Sequence, residues 1–134
     1  ELARLYSYLF QKTNKNYAII HALDGYDEIS LTGNVKIITR NEENIFSPQD
    51  LSLQKLNSKS INGGETIKES AKIFMNILQN KGTKSQNQVI FANAGLAIST
   101  ALNISIEDGI EKAKEALKSN KAFEAFNKLK NLSE

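Results

Sequence analysis

Along the first twenty residues the apolar positions change from a helical to an extended period. Leu2, Leu5, Tyr6, Leu9 and Phe10 recur at the three- and four-residue spacing of one helix face. Tyr17-Ala18-Ile19-Ile20-His21-Ala22 is then almost continuously apolar, bracketed by Asn14 and Asn16 before it and Asp24-Gly25 after it. That pattern predicts a strand buried on both faces, and a helix feeding such a strand is half of a parallel βαβ unit. Val35 and Ile37 alternate with Lys36 up to Thr39, a polar break follows at 41–44, and Ile45-Phe46 resume the run. This predicts a β-hairpin, stopped by Pro48, the only proline. Residues 49–65 are polar, carry the turn residues Asn62-Gly63-Gly64, and read as a connecting loop.

Beyond that loop the period is helical. Thr66 and Glu69 have the spacing of a capping box, and Ile67, Ala71, Phe74, Ile77 and Leu78 keep one face apolar as far as Lys81-Gly82. From Gln86 to Leu102 the chain is apolar nearly all round, which predicts a helix buried on most sides. Ser105 caps a further helix with Ile106, Ile110, Ala113 and Leu117 inward, and Asn120 suits the left-handed position past its end. A last helix, Lys121 to Asn131, is predicted to point Phe123, Phe126 and Leu129 inward. There is no internal repeat. The whole reads as one α/β unit over 1–134. Residues 1–65 hold helix, strand, turn, hairpin and loop, and residues 66–134 are helical.

Composition narrows the chemistry. With no cysteine there is no disulfide, thiolate metal site or cysteine nucleophile, and the single histidine, His21, excludes paired-imidazole zinc motifs. No apolar run is long enough for a membrane helix. No secretory leader is legible, so a reducing cytoplasmic setting is the default expectation. The net charge of +2 is too mild to imply nucleic acid or an anionic membrane. Its distribution says more, because the acidic excess of the first fifty residues gathers at Asp24, Asp27 and Glu28. The abrupt start of the first helix, without a capping residue, suggests a piece of a longer chain.

In open α/β sheets ligands bind off the carboxyl ends of the strands, and Leu23-Asp24-Gly25-Tyr26-Asp27-Glu28 directly follows the first strand. Adjacent carboxylates in a turn can converge on one cation, and Mg2+ takes one or two carboxylates while keeping waters and substrate phosphates. A solvated turn explains the same dipeptide, since charges ordinarily stay outside. His21 is a candidate ligand contact or a satisfied core residue. Gly63-Gly64 lacks the third glycine and the lysine of known phosphate loops and reads as a turn. Asn93, amid apolar helix residues, must be hydrogen-bonded, and is read as a core brace in preference to a contact stabilising the loop after the strand.

These residues carry a resemblance. His21-Ala22-Leu23-Asp24-Gly25-Tyr26-Asp27-Glu28-Ile29-Ser30 resembles the H-G-x-x-G-x-D-E segment of anthranilate phosphoribosyltransferases. The similarity continues in order through Thr32-Gly33, Ser47-Pro48-Gln49-Asp50-Leu51, Gly63-Gly64, Glu69-Ser70-Ala71, Ala92-Asn93-Ala94 and Ser119-Asn120-Lys121-Ala122. It implies the carboxyl-terminal part of a nucleoside phosphorylase/phosphoribosyltransferase-like α/β domain, a strand plus β-hairpin packed with about five helices. It further implies transfer of the phosphoribosyl group from phosphoribosyl diphosphate to anthranilate in tryptophan biosynthesis, with Asp27 and Glu28 as Mg2+ ligands and no covalent nucleophile.

Departures from the family pattern are Ala22 and Asn120 in place of glycine, Glu65 in place of aspartate and Ser70 in place of asparagine. The family's glycine-rich phosphate loop, lysine-histidine-glycine-asparagine segment and anthranilate-facing arginine find no counterpart here. The chain alone is therefore expected to be inactive, and the implied homodimer would form mainly through other regions. Two further readings stay open: a pyrimidine nucleoside phosphorylase-like enzyme, and a fold-related paralogue that binds nucleic acid without transferring anything. The D-G-x-D-E segment fits the first family better than the phosphorylases, and an acidic pair gains nothing on a DNA surface.

Overall fold

The computed structural model describes residues 1–133. Glu134, the last residue of the unit read over 1–134, lies outside the described residues. Helix α1 (Leu2–Gln11) forms where the helical period predicts it, yet its stripe is uncovered, with Leu2, Leu5 and Leu9 all more than half exposed. Its carboxyl end is held from far along the chain. The Arg40 guanidinium donates to the carbonyls of Phe10, Gln11, Thr13 and Lys15, placing a cation where a helix leaves its carbonyls unpaired. Arg40 also lies 5.6 Å over the ring of Tyr17, and Phe10 stacks on that ring at 5.4 Å.

Strands β1 (Ile19–Ala22), β2 (Val35–Ile38) and β3 (Glu43–Phe46) form one antiparallel sheet in that order. Ile19 lies opposite Ile38 and Ala22 opposite Val35, and Val35 in turn lies opposite Phe46. The hairpin read from the alternation forms, but Glu43 and Asn44, taken as part of the polar break, pair with Ile38 and Ile37 and belong to β3. The first strand does not stand as read. It pairs antiparallel, no parallel partner lies beside it among the described residues, and only Ala22 of its four residues is buried. Its apolar run spreads over separate neighbours: Tyr17 is covered by Phe10 and Arg40, Ile19 and Ile20 are half-buried, and His21 faces solvent.

The connection 49–65 is less idle than its polarity suggests. It buries Leu51 and Leu53 and contains a short 3-10 turn, Ser58–Ile61. Helix α2 (Ile67–Leu78) starts on the expected box, with the Glu69 N–H donating to Thr66 Oγ1 and the Thr66 N–H to the Glu69 carboxylate. Helix α3 (Lys84–Leu102) starts on a second box, Thr83 with Gln86, that the hydrophobic pattern did not announce. Helix α4 (Ile106–Lys118) is capped by Ser105 and buries Ile110, Ala113 and Leu117. Asn120, at φ +63°, breaks the chain into helix α5 (Lys121–Ser133).

Parts of the apolar faces stay uncovered. On α2 Ile67 is 92% exposed and Ala71 and Phe74 are also exposed, Leu129 of α5 is 66% exposed, and α3, though most of its residues are buried or half-buried, leaves Ile90 and Leu102 exposed. Helix α5 packs through its first half, where Phe126 meets Phe74 edge-on at 5.1 Å, and beyond it the side chains of Leu129 and Leu132 are exposed.

The core lies between the sheet and α3 with α4. Ile29, Leu31 and Leu51 are its most buried large side chains, joined by Val35, Ile37, Leu53, Ala92, Leu96 and Ile110. Removing a side chain of this size from water is worth about 1.5–3 kcal/mol. Two of the three, Ile29 and Leu31, belong to the β1–β2 connection, so the segment carrying the acidic residues is tied to the centre of the fold. Among the described residues no single helix is long and apolar enough to cross a membrane.

Candidate functional site

The connection from β1 to β2 is closed at its base by the Leu23 N–H donating to the Asn34 carbonyl at 2.9 Å. Gly25 takes φ +90°, a conformation that suits glycine, and Leu31 is held at φ +61°. Asp24 is the internal hub. Its Oδ2 accepts from the Ser30 hydroxyl at 2.9 Å and from the Thr32 hydroxyl, while the Thr32 N–H donates to Ser30 Oγ at 3.1 Å. Gly33 lies against this hub: a Cβ there would come within 2.7 Å of Asp24 Oδ2. Burial alone would raise the Asp24 carboxyl, but hydrogen bonds from Thr32, Ser30 and the backbone N–H groups of Asp24 and Tyr26 outweigh it and hold the carboxyl below its ordinary range. The hub is therefore complete above the ordinary carboxylate range, and is lost only as pH falls through that lowered value.

A second set of bonds grips the far side. The Ile29 N–H donates to Asn93 Oδ1 at 3.0 Å, and Asn93 Nδ2 donates to the Ile29 carbonyl at 2.9 Å and to the Val89 carbonyl at 2.9 Å. Asn93 is thus an anchor for the loop, the reading placed second for it, rather than a brace across the core, and it also bonds back to its own helix. The Leu56 N–H donates to the Leu31 carbonyl at 2.8 Å.

Between the hub and the anchor stand Asp27 and Glu28. Both are exposed. Asp24 is engaged as described, and elsewhere in the chain Glu43 pairs with Lys36 at 2.6 Å and Asp50 with Ser47 at 2.7 Å, whereas Asp27 and Glu28 make no such bond. Two uncommitted carboxylates on a fixed turn are a donor set that fits Mg2+, which accepts one or two of them and completes its octahedron with water and phosphate oxygen. No three His, Cys, Asp or Glu side chains gather into a metal cluster among the described residues, so further ligands would have to come from a substrate, water or elsewhere.

His21 lies on β1 opposite Lys36, exposed, and is no core residue. Gly63-Gly64 is a turn: Gly64, at φ +91°, leads into the Thr66 cap, where the Glu65 N–H donates to the Glu69 carboxylate at 2.8 Å. Ala22, the departure from the expected glycine, sits buried in the strand without a positive φ, so the backbone demands no glycine there.

Residues 1–123 match the family described as "Glycosyl transferase family, a/b domain". The chain belongs to this family. Within it, all 134 residues are 52% identical to the anthranilate phosphoribosyltransferase of Christiangramia forsetii, and 133 residues are 53% identical to that of Flavobacterium psychrophilum. The chain spans 40% of the length of each of these curated relatives. Solved structures repeat the fold. Anthranilate phosphoribosyltransferase from Saccharomyces cerevisiae in complex with PRPP and Mg matches at a TM-score of 0.83 and 19% identity, over 94% of this chain and 37% of that one. The enzyme from Thermus thermophilus matches at 0.71 and 20% identity, over 81% and 32%. Among the described residues the chain thus has the α/β architecture expected of it, with five α-helices and a three-stranded sheet.

The sequence pattern named Asp27 and Glu28 but missed the hub at Asp24 and the amide clamp of Gln88, whose Oε1 accepts from the Gln54 N–H at 2.9 Å. A buried glutamine at 88 and an amide at 93 on an apolar helix were the available signals, since buried amides must find partners.

Proposed function

We propose that this chain supplies the metal-binding portion of the donor site of an anthranilate phosphoribosyltransferase. The observation that carries the reading is a pair of uncommitted carboxylates on a locked turn, in a chain about half identical along its whole length to enzymes of that name. In the reaction the anthranilate amine bonds to C1 of phosphoribosyl diphosphate, the bond from C1 to the diphosphate oxygen breaks, and the amine gives up a proton. Bound Mg2+ supplies neutralisation of the charge that builds on the departing diphosphate. Asp27 and Glu28 hold the cation, and the Asp24, Ser30 and Thr32 bonds keep them in place without reorganisation. His21, exposed where β1 leads into the turn, is the candidate for a direct ligand contact. No side chain forms a covalent bond to the sugar, and the chain contributes by positioning and electrostatics.

A full-length enzyme carrying this chain, mixed with phosphoribosyl diphosphate and Mg2+, is expected to consume anthranilate, followed by the loss of its fluorescence, and to stop when the divalent ion is chelated. Phosphorolysis of a pyrimidine nucleoside in the absence of anthranilate turnover would contradict the reading.

A further inference from the structure

The turn bearing Asp27 and Glu28 owes little to those two residues themselves. Its shape comes from neighbours on either side. On the amino-terminal side Asp24 gathers the Ser30 and Thr32 hydroxyls. On the carboxyl-terminal side Asn93, on α3, binds both the N–H and the carbonyl of Ile29, the residue next to Glu28. Asn93 is itself fixed by its bond to the Val89 carbonyl one turn back, and Ile29 is 1% exposed, so this anchor is rigid at both ends. A side chain that grips both backbone groups of one residue leaves its peptide planes little freedom to rotate, and the plane on the amino side is shared with Glu28.

We infer that Asn93 is a positioning residue for the Asp27–Glu28 pair, acting through the Ile29 backbone, with Asp24 as its counterpart on the opposite side of the turn. The inference rests on the reading of that pair as cation ligands and adds residues that touch neither cation nor substrate. Partners that orient metal ligands typically change metal affinity by about 10–100-fold when removed. Gln88 provides the comparison, because it makes a like amide-to-backbone bond from the same helix to Gln54, a residue outside the β1–β2 connection.

The test uses a full-length enzyme carrying this chain and follows binding of Mn2+ with phosphoribosyl diphosphate by water-proton relaxation, together with amide hydrogen exchange. Asn93→Ala is expected to weaken Mn2+ binding by about tenfold and to speed exchange at 29–32, while the KM for anthranilate stays within about twofold. Gln88→Ala is expected to lose comparable stability and keep its Mn2+ affinity. Should Asn93→Ala fail to fold, Asp24→Asn serves in its place, with the same direction expected. Unchanged Mn2+ affinity despite faster exchange at 29–32, or an equal loss in Gln88→Ala, overturns the positioning role. Asp27→Asn/Glu28→Gln, run in parallel, separates the two failures. If that pair variant loses Mn2+ and Asn93→Ala does not, only the positioning role falls; if the pair variant keeps its affinity, the cation reading falls and the positioning role with it.

Discussion

Asp27→Asn combined with Glu28→Gln, placed in a full-length enzyme carrying this chain, is expected to lower Mg2+-dependent turnover by at least about a thousandfold, equivalent to about 4 kcal/mol of transition-state stabilisation. The size follows from the charge at stake. Diphosphate leaves carrying several negative charges, and neutral amides in place of two anionic ligands remove the attraction that holds the compensating cation. The fold should not notice. Both side chains are exposed and make no intramolecular bond, so the amides replace nothing that the turn uses. Stability in urea is therefore expected within about 0.5 kcal/mol of the parent, the usual range for surface substitutions. Steady-state transfer at saturating substrate, with an unfolding curve on the same sample, checks both halves. Near-parental turnover would remove the pair from the mechanism.

The second large effect is structural. Gly109→Ala is expected to destabilise the protein by about 3 kcal/mol, the upper end of what overpacking a tight contact costs. Helices α3 and α4 are bent by 116° at the break between them, and at their crossing two glycines face each other. A Cβ on Gly109 would overlap the carbonyl oxygen of Gly95. A Cβ on Gly95 would come within 2.8 Å of the Ile110 backbone. Neither obstacle is the movable end of a side chain, so the helices themselves must separate, opening the contact of Leu96 and Ile110 in the core. Gly63→Ala is the matched control, since the added methyl meets open space and should cost within about 0.5 kcal/mol. Urea unfolding of the three proteins measures the difference.

The same crossing shows what the pattern of residues conveys and what it withholds. Helix α4 was legible because Ile106, Ile110, Ala113 and Leu117 share a face behind a serine cap, and the Thr66 box announced α2 in the same way. Those signals are local, contained within a few residues. What Gly109 is for depends on Gly95, fourteen residues away, and no periodicity records that approach. Tyr17-to-Ala22 failed for the same reason. A continuous apolar run states which residues avoid water, not what covers them, and here Arg40 and Phe10 cover Tyr17 while His21 stays wet. Leu51 and Leu53 were hidden in a polar segment because two buried leucines alone are too few to establish a period. At the candidate site, Asp27 and Glu28 could be named from their place after a strand, and the resemblance added their role. The turn that holds them could not be named, because Asp24 and Asn93 do their work through partners up to 64 residues apart.

Asp27 and Glu28 are proposed to ligate together the divalent ion on the phosphoribosyl donor. A crystal of the full-length enzyme grown with Mn2+ and phosphoribosyl diphosphate, with the ion located by its anomalous scattering, tests this ligation most directly. A peak is expected within direct ligand distance of a carboxylate oxygen from each residue and of a diphosphate oxygen. A donor bound with its cation, and both carboxylates pointing into solvent away from it, would contradict the account.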